Sequence, residues 1–172
     1  MLFDPTVFDN LKVALENHIY DLDNLDELIS VTGRSDLLDL SVMSRRFAIR
    51  FALREHPEII AETVLDSSIR ELAAEILAQP NTAAGCKIAL KFHLAVAADR
   101  VEEACAHIRR ELTEIWEQQP RLLLSFEHGP ASPSFRCTAE IAFNRIIDEE
   151  QMEDISGLID HMVLTLEKLS QP

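Results

Sequence analysis

The stretch SRRFAIRFALRE, Ser44 to Glu55, decides how the chain folds. Phe47, Ile49, Phe51 and Leu53 share one parity, and Arg46, Ala48, Arg50, Ala52 and Arg54 share the other. A period of two is the signature of a half-buried strand. A helix would set Phe47 and Phe51 beside Arg50 and Arg54 and leave no clean apolar face. The stretch therefore predicts a strand with one apolar side and one side of arginines and alanines. In an acidic chain, that row of arginines points to a surface rather than to a reaction.

The same alternation extends outward. CKIALKFHLAVA places Ile88, Leu90, Phe92, Leu94 and Val96 on one side and Lys87, Ala89, Lys91, His93 and Ala95 on the other. RLLLSFEH and SFRCTAEIAFNRII predict two further strands joined through HGPASPS, a loop suited to a hairpin. Leu122, Leu124, Phe126, Phe135, Ile141 and Phe143 join the apolar side; Arg136, Thr138, Glu140, Ala142 and Asn144 join the basic one.

Before the arginine row, residues 11–22 read as a strand from the parity of Val13, Leu15 and Ile19. DLDNLDE reads as a turn, Leu28 to Thr32 as a strand, and Gly33 to Ser35 as a tight turn from which LLDLSV returns. After it, Pro57 opens a segment in which Ile60, Val64, Ile69, Leu72, Ala73 and Ile76 take helical spacing, up to Pro80. Asp99 with Glu102 resembles a capping box. It begins a helix whose stripe is Val101, Ala104, Cys105, Ile108, Leu112, Ile115 and Trp116. Asp148 or Glu149 caps a last helix with Met152, Ile155, Ile159, Met162, Leu166 and Leu169 inward.

Strands in hairpins with helices after them predict an α+β fold: a largely antiparallel sheet of about five to six strands with three helices packed on one face. Residues 1–172 form a single α+β domain, or two halves sharing one sheet. The halves would be 1–80, ββ(β)α, and 86–172, βαββα, joined through QPNTAAG. A chain of 172 residues buries roughly 70% of its unfolded surface, and 47% hydrophobic residues supply the core.

The net charge of −14 opposes adsorption to nucleic acid or to an anionic membrane. It is uneven: residues 41–54 hold Arg45, Arg46, Arg50 and Arg54 and no acid. The three cysteines, Cys86, Cys105 and Cys137, are far apart and suit a reducing compartment, with Cys86 the most open of them. No stretch approaches the ~20 apolar residues of a membrane span, and the first ten residues lack a signal peptide's pattern. A cytoplasmic protein is expected.

Chemical motifs fail on spacing. The four glycines draw neither GxGxxG nor a P-loop. DLDNLDELISVT has Asp26 and Thr32 where a calcium loop needs Gly and Glu. The six histidines make no ligand pair, and no cofactor is called for. His107 reads as a surface residue and His128 as part of a turn.

The candidate ligand-binding or interface residues are Arg46, Arg50, Arg54, Lys87, Lys91, His93, Arg136 and Glu140. Cross-strand pairing with acids such as Glu127 and Glu140 is the plain alternative for these cations. The functional expectation is a non-enzymatic protein acting by association, a homodimer through a sheet face or edge. The alternative is a binding module or enzyme for a small anionic ligand, phosphate or carboxylate, held on the basic face.

Overall fold

A computed structural model of the chain describes residues 6–77, 85–127 and 133–172. The arginine stretch is a strand, Ser44–Leu53, with Phe47, Ile49 and Phe51 fully buried on one side. Among the described residues six strands form one antiparallel sheet: β1 Ile29–Asp39, β2 Ser44–Leu53, β3 His56–Ser67, β4 Lys87–Ala97, β5 Arg121–Glu127 and β6 Ser134–Ala142. Their order is β1-β2-β3-β4-β6-β5. Four α-helices accompany them: α1 Val7–Asn24, α2 Ile69–Ile76, α3 Val101–Trp116 and α4 Asp154–Ser170. The α+β class and the antiparallel sheet are as expected, with four helices rather than three.

The fourth helix is α1, which replaces the strand expected over residues 11–22. Its buried residues are Phe8, Leu11, Leu15, Ile19 and Leu22, a three-four spacing that a strand cannot place on one side. The Thr6 hydroxyl accepts from the Asp9 N–H and starts the helix.

Gly33 makes no turn: β1 runs through it, with a register shift between Val31 and Gly33 that leaves Thr32 as a bulge. The chain reverses after Asp39 instead, with Met43 in the left-handed region at φ 51°.

The segment after Pro57 is not helical until Ile69; residues 56–67 are β3, near the middle of the sheet. Smaller differences follow. No side-chain cap by Asp99 forms, and a short 3-10 turn, Ala98–Arg100, leads into α3. Strand β6 stops at Ala142, after which Ile147 bridges back to Cys86. Gly85 is required at that junction, because a Cβ there would stand 2.3 Å from the Ile147 carbonyl oxygen. Cys86 is buried rather than open, and burial, aided by the Glu75 carboxylate, pushes its thiol up to about 12.

Helices α1, α3 and α4 pack on one face of the sheet. The core between them holds Phe47, Phe51, Phe92, Leu65, Leu90, Ile108 and Met162, all at or near zero exposure. Burying each large side chain contributes about 1.5–3 kcal/mol before entropy is subtracted. Polar ties join the layers. The indole N–H of Trp116 on α3 donates to the Thr165 hydroxyl on α4 at 3.0 Å. Arg45, at the start of β2, reaches into the helical side and holds Asp9 at 2.7 Å and Asp36 at 2.9 Å. Lys12 of α1 donates to Asp36 at 2.7 Å. The Arg45 hydrogen bonds, with help from Lys12, outweigh burial and lower the Asp36 carboxyl to about 2.

The helical layer stops short of β5. Leu124 and Phe126 share the apolar parity, yet both are exposed, because α3 packs on β4 and β6 instead.

Candidate functional site: the helix-free face of the sheet

Each strand that turns one side to the helices turns its other side away from them. The strand register assembles that second side row by row. Arg50 of β2 pairs with Glu62 of β3, Glu62 with Lys91 of β4, Lys91 with Glu140 of β6, and Glu140 with Arg121 of β5. The signs alternate across five strands. On one side lies a small-residue row, Ser35, Ala48, Val64, Ala89 and Ala142. Beyond it lie Leu37, Arg46, Asp66 and Lys87. On the other side lie Ile60, His93, Thr138 and Leu123.

The sequence-predicted residues fall on this face with one exception. Arg46 forks onto Asp66 with contacts of 2.7 and 3.1 Å. Arg50 meets Glu62 at 3.2 Å, Lys91 meets Glu140 at 3.9 Å, and Arg136 meets Glu127 at 2.7 Å. Lys87 stands opposite Asp66 in register and, among the described residues, has no ion pair within 4 Å. Arg54 is the exception. It follows the end of β2 and turns away, donating to the Ile29 and Asp23 carbonyls and the Asp23 carboxylate. The acidic turn after α1 therefore serves the fold: Asp23 also accepts from the Val31 N–H.

The centre of the face is a hydrogen-bonded line. His93 lies 2.7 Å from Glu62 and 2.9 Å from Thr138. Every group is satisfied when Nε2–H of His93 donates to the Glu62 carboxylate and Nδ1 accepts from the Thr138 hydroxyl. Glu62 is only 6% exposed. Burial opposes its ionisation, yet the His93 hydrogen bond and the Arg50 charge prevail and hold its carboxyl below the usual value. Cross-strand pairs of this kind contribute roughly 0.2–1 kcal/mol each. Around the buried Glu62 the larger consequence is the cost of removing one partner.

A hydroxyl, an imidazole and a carboxylate in this order also make hydrolytic triads. Here the line lies flat along paired strands, whose N–H groups are committed to the ladder rather than free to hold an oxyanion. A cleft of about 390 Å³ touches the face at its far end, lined by Asp66, Lys87, Ala89, Ala142, Asn144 and Arg145, and does not include His93. A larger cleft of about 600 Å³ lies away from the face, between the end of α3 and the start of α4. Among the described residues no cluster of His, Cys, Asp or Glu could hold a metal ion. Among the same residues no helix is long and apolar enough to cross a membrane.

Glu62, Asp66 and Arg121 were missed from sequence. The alternation of Ile59, Ala61, Thr63 and Leu65 against Ile60, Glu62, Val64 and Asp66 was the available signal. His128, Gln79 to Ala84 and the first five residues, on which other expectations fell, lie outside the described residues. His107 is partly exposed on α3, with Nδ1 facing Arg110 at 2.9 Å and Glu111 at 3.7 Å.

No protein-family model, no curated protein and no solved structure matches this chain. Its functional surface is read from its own geometry.

Proposed function

We propose that this protein works by association with a second copy of itself, through the sheet, and not by catalysis. One observation carries this: four cations of the helix-free face are met by carboxylates of neighbouring strands, and Lys87 is left without an ion pair among the described residues. Arg46, Arg50, Lys91 and Arg136 each hold an acid within 4 Å. A basic face built to bind an anion would keep such groups available; a charge-balanced mosaic suits a surface of complementary charge. The alanines between the charged rows permit close approach of another backbone.

Size supports the same reading. Six strands of seven to twelve residues, about 4.8 Å apart, give a face of roughly 950 Å². A standard interface buries about 800 Å² per partner. The exposed Leu123 on β5 and Leu37 on β1 give the face an apolar rim at its two edges.

Size-exclusion chromatography with light scattering tests the proposal. A dimer that dissociates on dilution is expected, and Arg50→Glu is expected to shift it toward monomer. A folded monomer at every concentration would refute it.

A second reading has its own observation. The cleft of about 390 Å³ brings Lys87, Arg145 and Asn144 together, a set that a small phosphate or carboxylate could engage. Thermal-shift measurements with inorganic phosphate and with dicarboxylates check it. Stabilisation that rises with ligand and disappears in Lys87→Ala would favour this anion site, and an unchanged melting temperature would remove it.

A further inference from the structure

We infer that the second copy stacks face to face about a two-fold axis that runs along the strands, over the seam between β3 and β4. This inference rests on the association proposed above and specifies its geometry.

The seam is the middle of the sheet: β1, β2 and β3 lie on one side, and β4, β6 and β5 on the other. Rotation about an axis parallel to the strands keeps every row at its own height and exchanges the two halves. Each β3 then faces the second copy's β4, and each β2 faces the second copy's β6. Glu62, already held by Arg50 and His93 of its own chain, lies beneath the second copy's Lys91, Arg50 meets its Glu140, and Asp66 meets its Lys87. Each charged contact joins opposite signs, and two-fold symmetry repeats it. Val64 meets Ala89, and Ala48 meets Ala142, so the small-residue rows coincide.

The charge pattern discriminates among axes. An axis running across the strands over the central row would set Arg50 on Arg50 and Glu62 on Glu62. An axis along the β4/β6 seam keeps alternation in the central row but leaves β1 and β2 uncovered. Only the β3/β4 seam overlays all six strands while matching the central row and setting Asp66 against Lys87; Arg46 stays on the Asp66 of its own chain. Sheets stacked this way keep their strand directions within about 30° of each other, so the exposed pair nearest the axis, Asp66 with Lys87, holds most closely. Lys87, with no ion pair within 4 Å among the described residues of its own chain, gains one.

Two single variants give a test peculiar to this geometry. Lys87→Asp alone sets two acids against each other twice, and Asp66→Lys alone sets two cations against each other twice. Each is expected to weaken the dimer tenfold or more while the circular dichroism spectrum stays native. Mixed together they restore both contacts, so sedimentation is expected to recover a heterodimer.

A nitroxide at Ala95→Cys gives an independent measurement should Asp66→Lys fail to fold. Ala95 is exposed on this face, and the three native cysteines are buried. Face-to-face stacking places the two labels within about 20 Å; pairing edge to edge through β5 separates them by about 24 Å or more, and through β1 by more still.

Recovery on mixing, or short label distances in the dimer, supports the inference. A dimer indifferent to Lys87→Asp, with distant labels, overturns the stacked geometry and leaves association through an edge standing. A monomeric parent chain overturns both.

Discussion

The two sides of the sheet are made by the same strands and held by different physics. Toward the helices, Phe47, Phe51 and Phe92 have no exposure, and the polar exceptions are few, such as Thr63, whose hydroxyl donates to the Met162 sulfur. One residue further along β4, His93 sits among Glu62, Thr138 and the alternating charges. Water alone would ask little of that second side, and antiparallel sheets commonly leave one side to it. A face on which a carboxylate is only 6% exposed and bonded from two directions is more ordered than solvation requires. One side secures the fold; the other presents a fixed pattern.

Substitutions on adjacent residues sharpen that contrast. Phe92→Ala is expected to cost about 3–5 kcal/mol, since it removes a buried ring and leaves a cavity; urea denaturation reads it directly. A loss under 1 kcal/mol would mean that the helical side is not the core.

Asp36→Asn comes next, at about 2 kcal/mol near neutral pH, because it weakens charged hydrogen bonds from Arg45 and Lys12. It also carries a pH signature. The folded-state carboxyl is lowered from 3.8 to about 2. Its contribution is therefore complete above the unfolded value and is lost as pH falls through about 2. Acid titration of stability is expected to be flatter in the variant, and identical profiles would contradict the assigned pairing.

His93→Ala is expected to cost about 1–2 kcal/mol, less than its neighbour Phe92, because Glu62 keeps Arg50 while losing one donor. Arg46→Ala should be smallest, roughly 0.2–1 kcal/mol, since its ion pair with Asp66 is half in water. If Arg46→Ala proved costlier than Phe92→Ala, the division of labour between the two sides would be wrong.

Much of this contrast is legible in the sequence, and the missing part has a definite cause. In β2 and β4 the inward positions are Phe, Ile and Leu while the outward ones are Arg, Lys and Ala, so the period of two is unmistakable. The stripes of α3 and α4 are equally clear. Strand β3 hides itself. Its inward side includes Ala61 and Thr63, weakly apolar, while its outward side includes Ile60 and Val64, strongly apolar and four apart. That spacing, after a proline, imitates a helix. Reading it so removes Glu62 and Asp66 from the sheet and leaves the arginines looking free. Helix α1 was missed for the converse reason: Leu15 and Ile19 fit one strand parity as well as they fit a helical stripe. Its partner layer, which settles the matter, is tertiary information.

The chain carries its own probe of the account. Of its four lysines, Lys87 and Lys91 lie on the helix-free face, and Lys12 and Lys168 lie in helices on the opposite side. Acylation of lysine amines, quantified by mass spectrometry at low and high protein concentration, reads out whether the helix-free face is covered in solution. Lys87 and Lys91 are expected to lose reactivity as concentration rises while Lys12 and Lys168 do not change. Equal reactivity of Lys87 and Lys91 at all concentrations would contradict association through this face.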